Sequence, residues 1–201
     1  MSRTILVAVI ALALSVPARA DITPTLDSGS PSGAGPLFTW SYSIAVDASE
    51  TISPTVNSGC NPATPCPAGS FFTLYDIPGL ASPSAPAGWG SIIQTTGVTP
   101  VGVSVGDSAA VLNLTFFYAD TLAAGPFTLS GFSFESTSNQ VGTIAYAFSA
   151  ANMDVTGAIK GTSGAGLVAG PGVVPEPASF TLIGAGLIGL AVRRKSKGAR
   201  G

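Results

Sequence analysis

Apolar and polar residues alternate with a period of two through the middle of this 201-residue chain, and this spacing limits its fold more than any other feature. Side chains of a β-strand point to opposite faces in turn, so residues 37–47 are predicted to form a strand with one buried face. The apolar side of that run consists of Phe38, Trp40, Tyr42, Ile44 and Val46. Similar runs lie at residues 71–77, 98–105, 110–119, 127–135 and 141–149, with a weaker one at 153–160.

Turn-forming residues separate most of these runs, as at Gly106-Asp107 and Gly125-Pro126. Gly131 lies inside the run 127–135 and shifts its alternation, which indicates a β-bulge. The middle of the chain has no stretch of ten or more residues with apolar side chains at helical spacing. Seven or eight short strands therefore predict an all-β fold, an antiparallel β-sandwich or jelly-roll-like domain over residues 21–160.

The first twenty residues have the three parts of a secretory signal peptide. Arg3 precedes an apolar run at residues 5–14, and Ala18-Arg19-Ala20 forms a cleavage site of the small-x-small type. The alternatives are a short core helix or an uncleaved anchor. The run is short for a membrane span and is followed by Pro17, so we expect cleavage after Ala20 and a mature chain that starts at Asp21.

The other end of the chain has a second ordered pattern. A Gly-rich stretch at residues 161–173 is predicted to be a linker, and Val174, Pro175, Glu176 and Pro177 follow it. The two prolines favour an extended backbone, which would present Glu176 to a processing enzyme. The apolar residues 178–192 predict a single transmembrane helix of about 22 Å, shorter than the roughly 30 Å hydrocarbon core. The basic stop, Arg193, Arg194 and Lys195, predicts a cytoplasmic C-terminus and so an exported main domain.

Together the Val174-Pro175-Glu176-Pro177 motif, the apolar helix and the basic stop, at residues 174–197, resemble the PEP-CTERM sorting signal of Gram-negative bacteria. The resemblance implies recognition by exosortase, a membrane-embedded cysteine transpeptidase, and cleavage near Pro-Glu-Pro. It also implies transient anchoring in the inner membrane, followed by delivery to the cell surface or to an exopolysaccharide matrix such as that of a biofilm. The alternative is a permanently tail-anchored protein.

The basic residues lie almost entirely at the two ends of the chain. Residues 21–174 contain nine acidic side chains and Lys160 as their only base, a net charge of −8. Since nucleic acids are bound by Lys and Arg that displace counterions, this balance excludes a nucleic-acid partner.

Two segments rich in Pro, Gly and Ser, residues 49–70 and 80–90, are predicted to be long surface loops. The first contains Cys60 and Cys66, the only cysteines of the chain. In an exported protein this pair predicts a disulfide. A metal or redox pair is disfavoured because the spacing is not Cys-x-x-Cys and the chain has no histidine.

The absence of histidine also removes Ser-His-Asp and Cys-His catalysis, and we expect no enzymatic activity. Carboxylates alone could still supply a glycosidase pair, from Asp76, Asp107, Asp120 or Glu135. No cofactor is expected. Calcium is the one candidate ion, at Asp76 or Asp120, because it requires clustered oxygen ligands.

Aromatic side chains that stack on sugar rings are the other candidates for ligand contact. Trp89 and Tyr75, beside Asp76, are the residues considered, whereas Trp40 lies on the apolar side of its run and is expected in the core. The function expected from the sequence is a structural or adhesive protein of the cell surface or exopolysaccharide matrix. The alternative is a carbohydrate- or calcium-binding module on the same sorting tail.

Overall fold

The structure, a computed structural model, describes residues 21–61, 65–154 and 156–172. Within these ranges it contains strands and no helix. The strands are β1 (Ile22–Leu26), β2 (Phe38–Val46), β3 (Glu50–Ile52), β4 (Phe71–Ile77), β5 (Leu80–Ser84), β6 (Trp89–Gln94), β7 (Leu112–Tyr118), β8 (Ala123–Ala124), β9 (Phe127–Ser136), β10 (Val141–Met153) and β11 (Ile159–Pro171). The described part of the chain has no helix long and apolar enough to cross a membrane. The predicted signal peptide and transmembrane helix lie outside the described residues.

The strands form two antiparallel sheets. One sheet has the order β1-β2-β9-β5, and the other has the order β6-β7-β4-β10-β3-β8. Strand β11 pairs with β10 along thirteen residues, so β4 and β3 share the opposite edge of β10. This arrangement confirms the predicted all-β, sandwich-like class.

The core lies between the sheets and is rich in aromatic rings. Phe132 of β9 packs against Phe72 of β4 and Phe116 of β7, each with a centroid distance of 5.2 Å. Strand β2 buries Trp40, Tyr42, Ile44 and Val46 on the same side, as its alternation predicts. Trp40 is fully buried, which confirms its place in the core.

The bulge expected at Gly131 is present. Tyr42 pairs with Phe132 and Ser43 pairs with Ser130, so Gly131 is the extra residue on β9. Its φ of 98° is one that glycine adopts without strain. The bulge keeps Phe132 and Phe134 on the core side of the strand.

Two of the strands predicted from the sequence, at residues 98–105 and 153–160, are not formed. Residues 98–105 are irregular apart from a turn at Val101-Gly102, and their β-pairing is limited to an isolated bridge between Cys60 and Pro100. Pro100 lacks an N–H for a ladder, and Gly102 turns the backbone at a φ of 80°. Residues 153–160 contain a tight turn between β10 and β11, in which the Asp154 carboxylate accepts hydrogen bonds from the main-chain N–H groups of Thr156 and Ala158, 2.9 Å each.

Three segments expected outside strands contain them. Strand β3 lies in the predicted loop 49–70, and strand β5 and the start of β6 lie in the predicted loop 80–90. The Gly-rich stretch predicted as a linker at residues 161–173 is instead strand β11 as far as Pro171. The folded domain therefore extends to Gly172, twelve residues beyond the predicted end at Lys160.

Tyrosine and phenylalanine rings compensate for the missing side chains of β11. A methyl group built on Gly166 would lie 2.8 Å from the Tyr146 ring, and one on Gly164 would lie 2.6 Å from the Phe148 ring. Both rings therefore occupy the space beside glycines of the neighbouring strand. Ring packing over strand glycines restores buried contact that glycine cannot provide itself.

Candidate functional site

Trp89 lies at the start of β6, inside the aromatic cluster between the sheets. Its ring centroid is 5.0 Å from that of Phe132, 5.3 Å from Tyr118 and 6.0 Å from Phe72. Only 8% of the residue is exposed. Trp89 therefore caps the core and presents no open ring face for a sugar.

Tyr75 is also buried, although it lies on the outer side of β4. A loop at residues 95–111 covers that side of the sheet, and the Tyr75 hydroxyl donates to the main-chain oxygen of Val98 at 2.8 Å. Burial raises the pKa of Tyr75 to about 12. Both rings pack against the protein itself, and the ligand contact suggested for Tyr75 and Trp89 stays a prediction.

Asp76 and Asp107 hold the same loop in place. Asp76 accepts a hydrogen bond from the N–H of Ser108 at 2.9 Å, and its own N–H donates to Asn113 Oδ1 at 2.8 Å. Asp107 accepts from the amide group of Asn113 at 2.9 Å and from the N–H of Gly97 at 2.8 Å. Both carboxylates thus accept hydrogen bonds from main-chain or amide N–H groups of the loop and of β7.

The two candidate calcium ligands are far apart. Asp76 lies beside the Leu112 end of β7, where Ile77 pairs with Leu112. Asp120 follows the Tyr118 end of the same strand. Six residue steps of about 3.3 Å separate those ends, about 20 Å along the strand. Among the described residues no group of three or more His, Cys, Asp or Glu side chains is arranged to hold a metal ion.

A cleft of about 810 Å³ opens where β4 and β10 diverge. Their pairing ends at Leu74 and Tyr146, and the backbone of Asp76, with a φ of 53°, turns away from β10. The lining is mainly apolar and includes Ile77, Leu80 and Ile144, with Asp76 as its only charged side chain. Such a surface could bind an apolar segment.

Glu50 is the ionisable residue that sequence reasoning missed. It lies in β3, within a segment expected to be a surface loop, and is only 1% exposed. Burial raises its pKa to about 7, and the nearby Asp21 and Asp47 carboxylates add to this effect, while a hydrogen bond from Thr162 opposes it. No sequence signal identified it, because Glu50 stands between polar residues without alternation.

The disulfide between Cys60 and Cys66 is present, as predicted. It lies beside the outer loop, where the N–H of Val101 donates to the oxygen of Gly59 at 3.1 Å and the N–H of Asn61 donates to Thr99 at 2.6 Å. The disulfide therefore closes a loop that is hydrogen-bonded to residues 99–101 of the 95–111 loop.

The predicted sorting residues Val174, Pro175, Glu176 and Pro177 and the basic stop Arg193, Arg194 and Lys195 lie outside the described residues. A comparison with protein families matches residues 173–195 to the PEP-CTERM protein-sorting motif. Comparisons with curated proteins and with solved structures gave no match.

The match begins at the residue after Gly172, so the sorting motif directly follows the sandwich. The motif thus defines an exported protein that is processed at the membrane, with exosortase as its processing partner, and its described residues form an all-β domain. The chain carries a PEP-CTERM protein-sorting motif at residues 173–195.

Proposed function

We propose that the sandwich is a structural or adhesive component of the cell surface or of an exopolysaccharide matrix, without catalytic activity. In this proposal residues 1–20 are a signal peptide removed after Ala20, and the apolar helix at residues 178–192 holds the precursor in the inner membrane. Exosortase then cuts near Pro175 to Pro177 and releases the domain to the outside.

The observation that carries the proposal is the sorting motif at residues 173–195, directly after a stapled β-sandwich. The composition supports it, since nine acidic residues and one lysine between residues 21 and 174 give a soluble surface of one charge sign. The lack of histidine in the sequence and the structural use of Asp76 and Asp107 support a non-catalytic role.

A sugar-binding module is less well supported than a structural role. The large apolar side chains that are exposed in the described ranges are aliphatic. The list comprises Leu37, Ile93, Val101, Leu122, Val141, Met153 and Leu167. Sugar rings are typically bound on exposed aromatic faces, and both tryptophans of this chain lie in the core.

The sorting step is tested with Glu176→Ala in the native host, by intact mass and by cell fractionation. Wild type is expected outside the cell, without its apolar tail, whereas the variant is expected in the membrane fraction with the tail attached. Asp120→Ala is the matched control, because it also removes an acidic side chain but lies on the exposed surface of the sandwich. It should be processed like wild type.

A wild-type protein that keeps its tail would contradict cleavage and indicate a permanent anchor. The adhesive role needs a separate measurement, such as sedimentation of the released protein with the exopolysaccharide of the host. Free protein in the supernatant at all polysaccharide concentrations, with unchanged matrix cohesion in a deletion strain, would contradict it.

A further inference from the structure

Glu50 is a buried acid that lacks a cationic partner among the described residues. Its Oε1 accepts a hydrogen bond from the hydroxyl of Thr162 at 2.8 Å. Its Oε2 is buried and has no hydrogen-bond partner. A buried carboxylate oxygen without a partner costs free energy, so its retention calls for an explanation.

The two charged groups that face Glu50 flank strands β1 and β2 and are both acidic. They are Asp21, which precedes β1, and Asp47, which follows β2. The neighbouring groups on β3 and β11, Thr51 and Thr162, are neutral donors. Lys160 is the only lysine or arginine of the described ranges, and its side chain is 74% exposed with Nζ 3.6 Å from the Asp154 carboxylate.

The backbone of Asp21 lies close to Glu50. The N–H of Asp47 donates to the Asp21 oxygen at 3.3 Å, and the N–H of Glu50 donates to the Asp47 oxygen at 2.9 Å. The main chains of Asp21 and Glu50 are therefore both hydrogen-bonded to the main chain of Asp47. The Asp21 side chain is also near enough to raise the pKa of Glu50 through its charge.

Removal of the leader after Ala20 would convert the amide nitrogen of Asp21 into an α-ammonium group. We propose that this new amino terminus is the counter-ion of Glu50, so that leader removal completes an ion pair with the buried carboxylate. The inference rests on the proposed cleavage site and is independent of the sorting tail. In the precursor the same nitrogen is an uncharged amide, and Glu50 is unpaired.

The ion pair gives the mature protein a distinct dependence on pH. Without the ammonium, the pKa of Glu50 is higher in the folded domain (about 7) than in the unfolded chain (4.5), so stability falls as pH rises between those values. With the ammonium in place the charged carboxylate is stabilised, and this loss is reduced. The contribution of the ammonium itself is lost as it deprotonates, above its ordinary pKa of about 8.

The test is a double-mutant cycle on the full chain, expressed and exported in the native host. A Gly-Ser insertion between Ala20 and Asp21 keeps the cleavage site but moves the amino group away from Glu50. Four proteins are purified in EDTA: wild type, the insertion variant, Glu50→Gln, and the variant that carries both changes. Mass spectrometry identifies the first residue of each. Urea unfolding is then measured from pH 4.5 to 9.

At pH 7 the insertion is expected to raise the unfolding equilibrium constant about tenfold or more in the wild-type background, and less than about twofold with Glu50→Gln. The insertion variant alone should lose stability between pH 4.5 and 7. Lys160→Gln is the control, and it should leave the effect of the insertion unchanged.

The ion pair would be overturned if the insertion changed the unfolding equilibrium constant equally with Glu50 and with Gln at this position. It would also be overturned if the wild-type mature chain started at a residue other than Asp21. A chain that begins at Asp21 but retains residues 173–201 would contradict the sorting proposal instead, and the cycle on that chain would still decide the ion pair.

Discussion

The hydroxyl of Tyr42 donates a hydrogen bond to the main-chain oxygen of Ala169, 3.0 Å away, and this bond joins the two sheets of the sandwich. Tyr42 belongs to β2 in the four-stranded sheet, and Ala169 belongs to β11 in the other. The Gly-rich strand is thus fixed to the core by a side chain 127 residues earlier in the sequence.

Tyr42→Phe is expected to destabilise the domain by about 1 kcal/mol, because it removes one hydrogen bond and leaves the ring in place. The loss should be local to β11. Hydrogen exchange followed by mass spectrometry should show faster exchange in residues 159–171 than in wild type.

Tyr118→Phe is the matched control for this change. The Tyr118 hydroxyl donates to the oxygen of Thr121, three residues away, and does not contact β11. Exchange in residues 159–171 should be the same as in wild type. Equal acceleration in both variants would show that the Tyr42 hydrogen bond does not hold the strand.

The end of the folded domain can be tested by truncation. A chain of residues 21–172 is expected to unfold cooperatively in urea, whereas residues 21–160 should not. The shorter chain lacks a strand that pairs with thirteen residues of β10, and it exposes that edge to intermolecular pairing. Circular dichroism and analytical ultracentrifugation check both expectations; a monomeric, cooperative 21–160 chain would restore the linker interpretation.

Gly166→Ala is expected to destabilise the domain, by about 1 kcal/mol or more. The new methyl group would lie 2.8 Å from Cε1 of the Tyr146 ring, which is itself buried and must move. Overpacking of this kind costs about 1–3 kcal/mol, more than alanine gains over glycine in a strand.

Gly106→Ala is the control for Gly166→Ala, since a methyl group at Gly106 would meet nothing within 4 Å. Its free energy of unfolding should be unchanged or slightly higher than that of wild type. If both variants have wild-type stability, the Tyr146 ring does not restrict this position of β11.

The strands that could be predicted from the sequence are those with clear alternation. Strands β2, β4, β9 and β10 begin within one residue of their predicted starts, because a buried face requires apolar side chains at every second position. Strand β11 could not be predicted, since its stability comes from Tyr146 and Phe148 on another strand. Local propensity carries no information about such a partner.

The candidate site was harder to predict than the fold. Trp89 stands in a predicted loop and Tyr75 in a predicted strand, and only the packing of the aromatic cluster and of the 95–111 loop shows that both are buried. Glu50 was missed for the opposite reason, since its burial depends on Asp21, Thr162 and the short strand β3 meeting in space. The sorting motif, in contrast, is linear and could be read directly from residues 174–195.

Loss of the disulfide is expected to destabilise the domain without changing its fold. Replacing Cys60 and Cys66 together by serine should lower the free energy of unfolding by about 2 kcal/mol, the chain-entropy value for so short a loop. The outer loop should loosen with it, because Gly59 and Asn61 bond to the 99–101 segment that covers β4. Urea unfolding of oxidised wild type, reduced wild type and the double variant measures the effect. Reduced wild type should match the double variant, and a double variant as stable as oxidised wild type would show that the hydrogen bonds alone hold the loop.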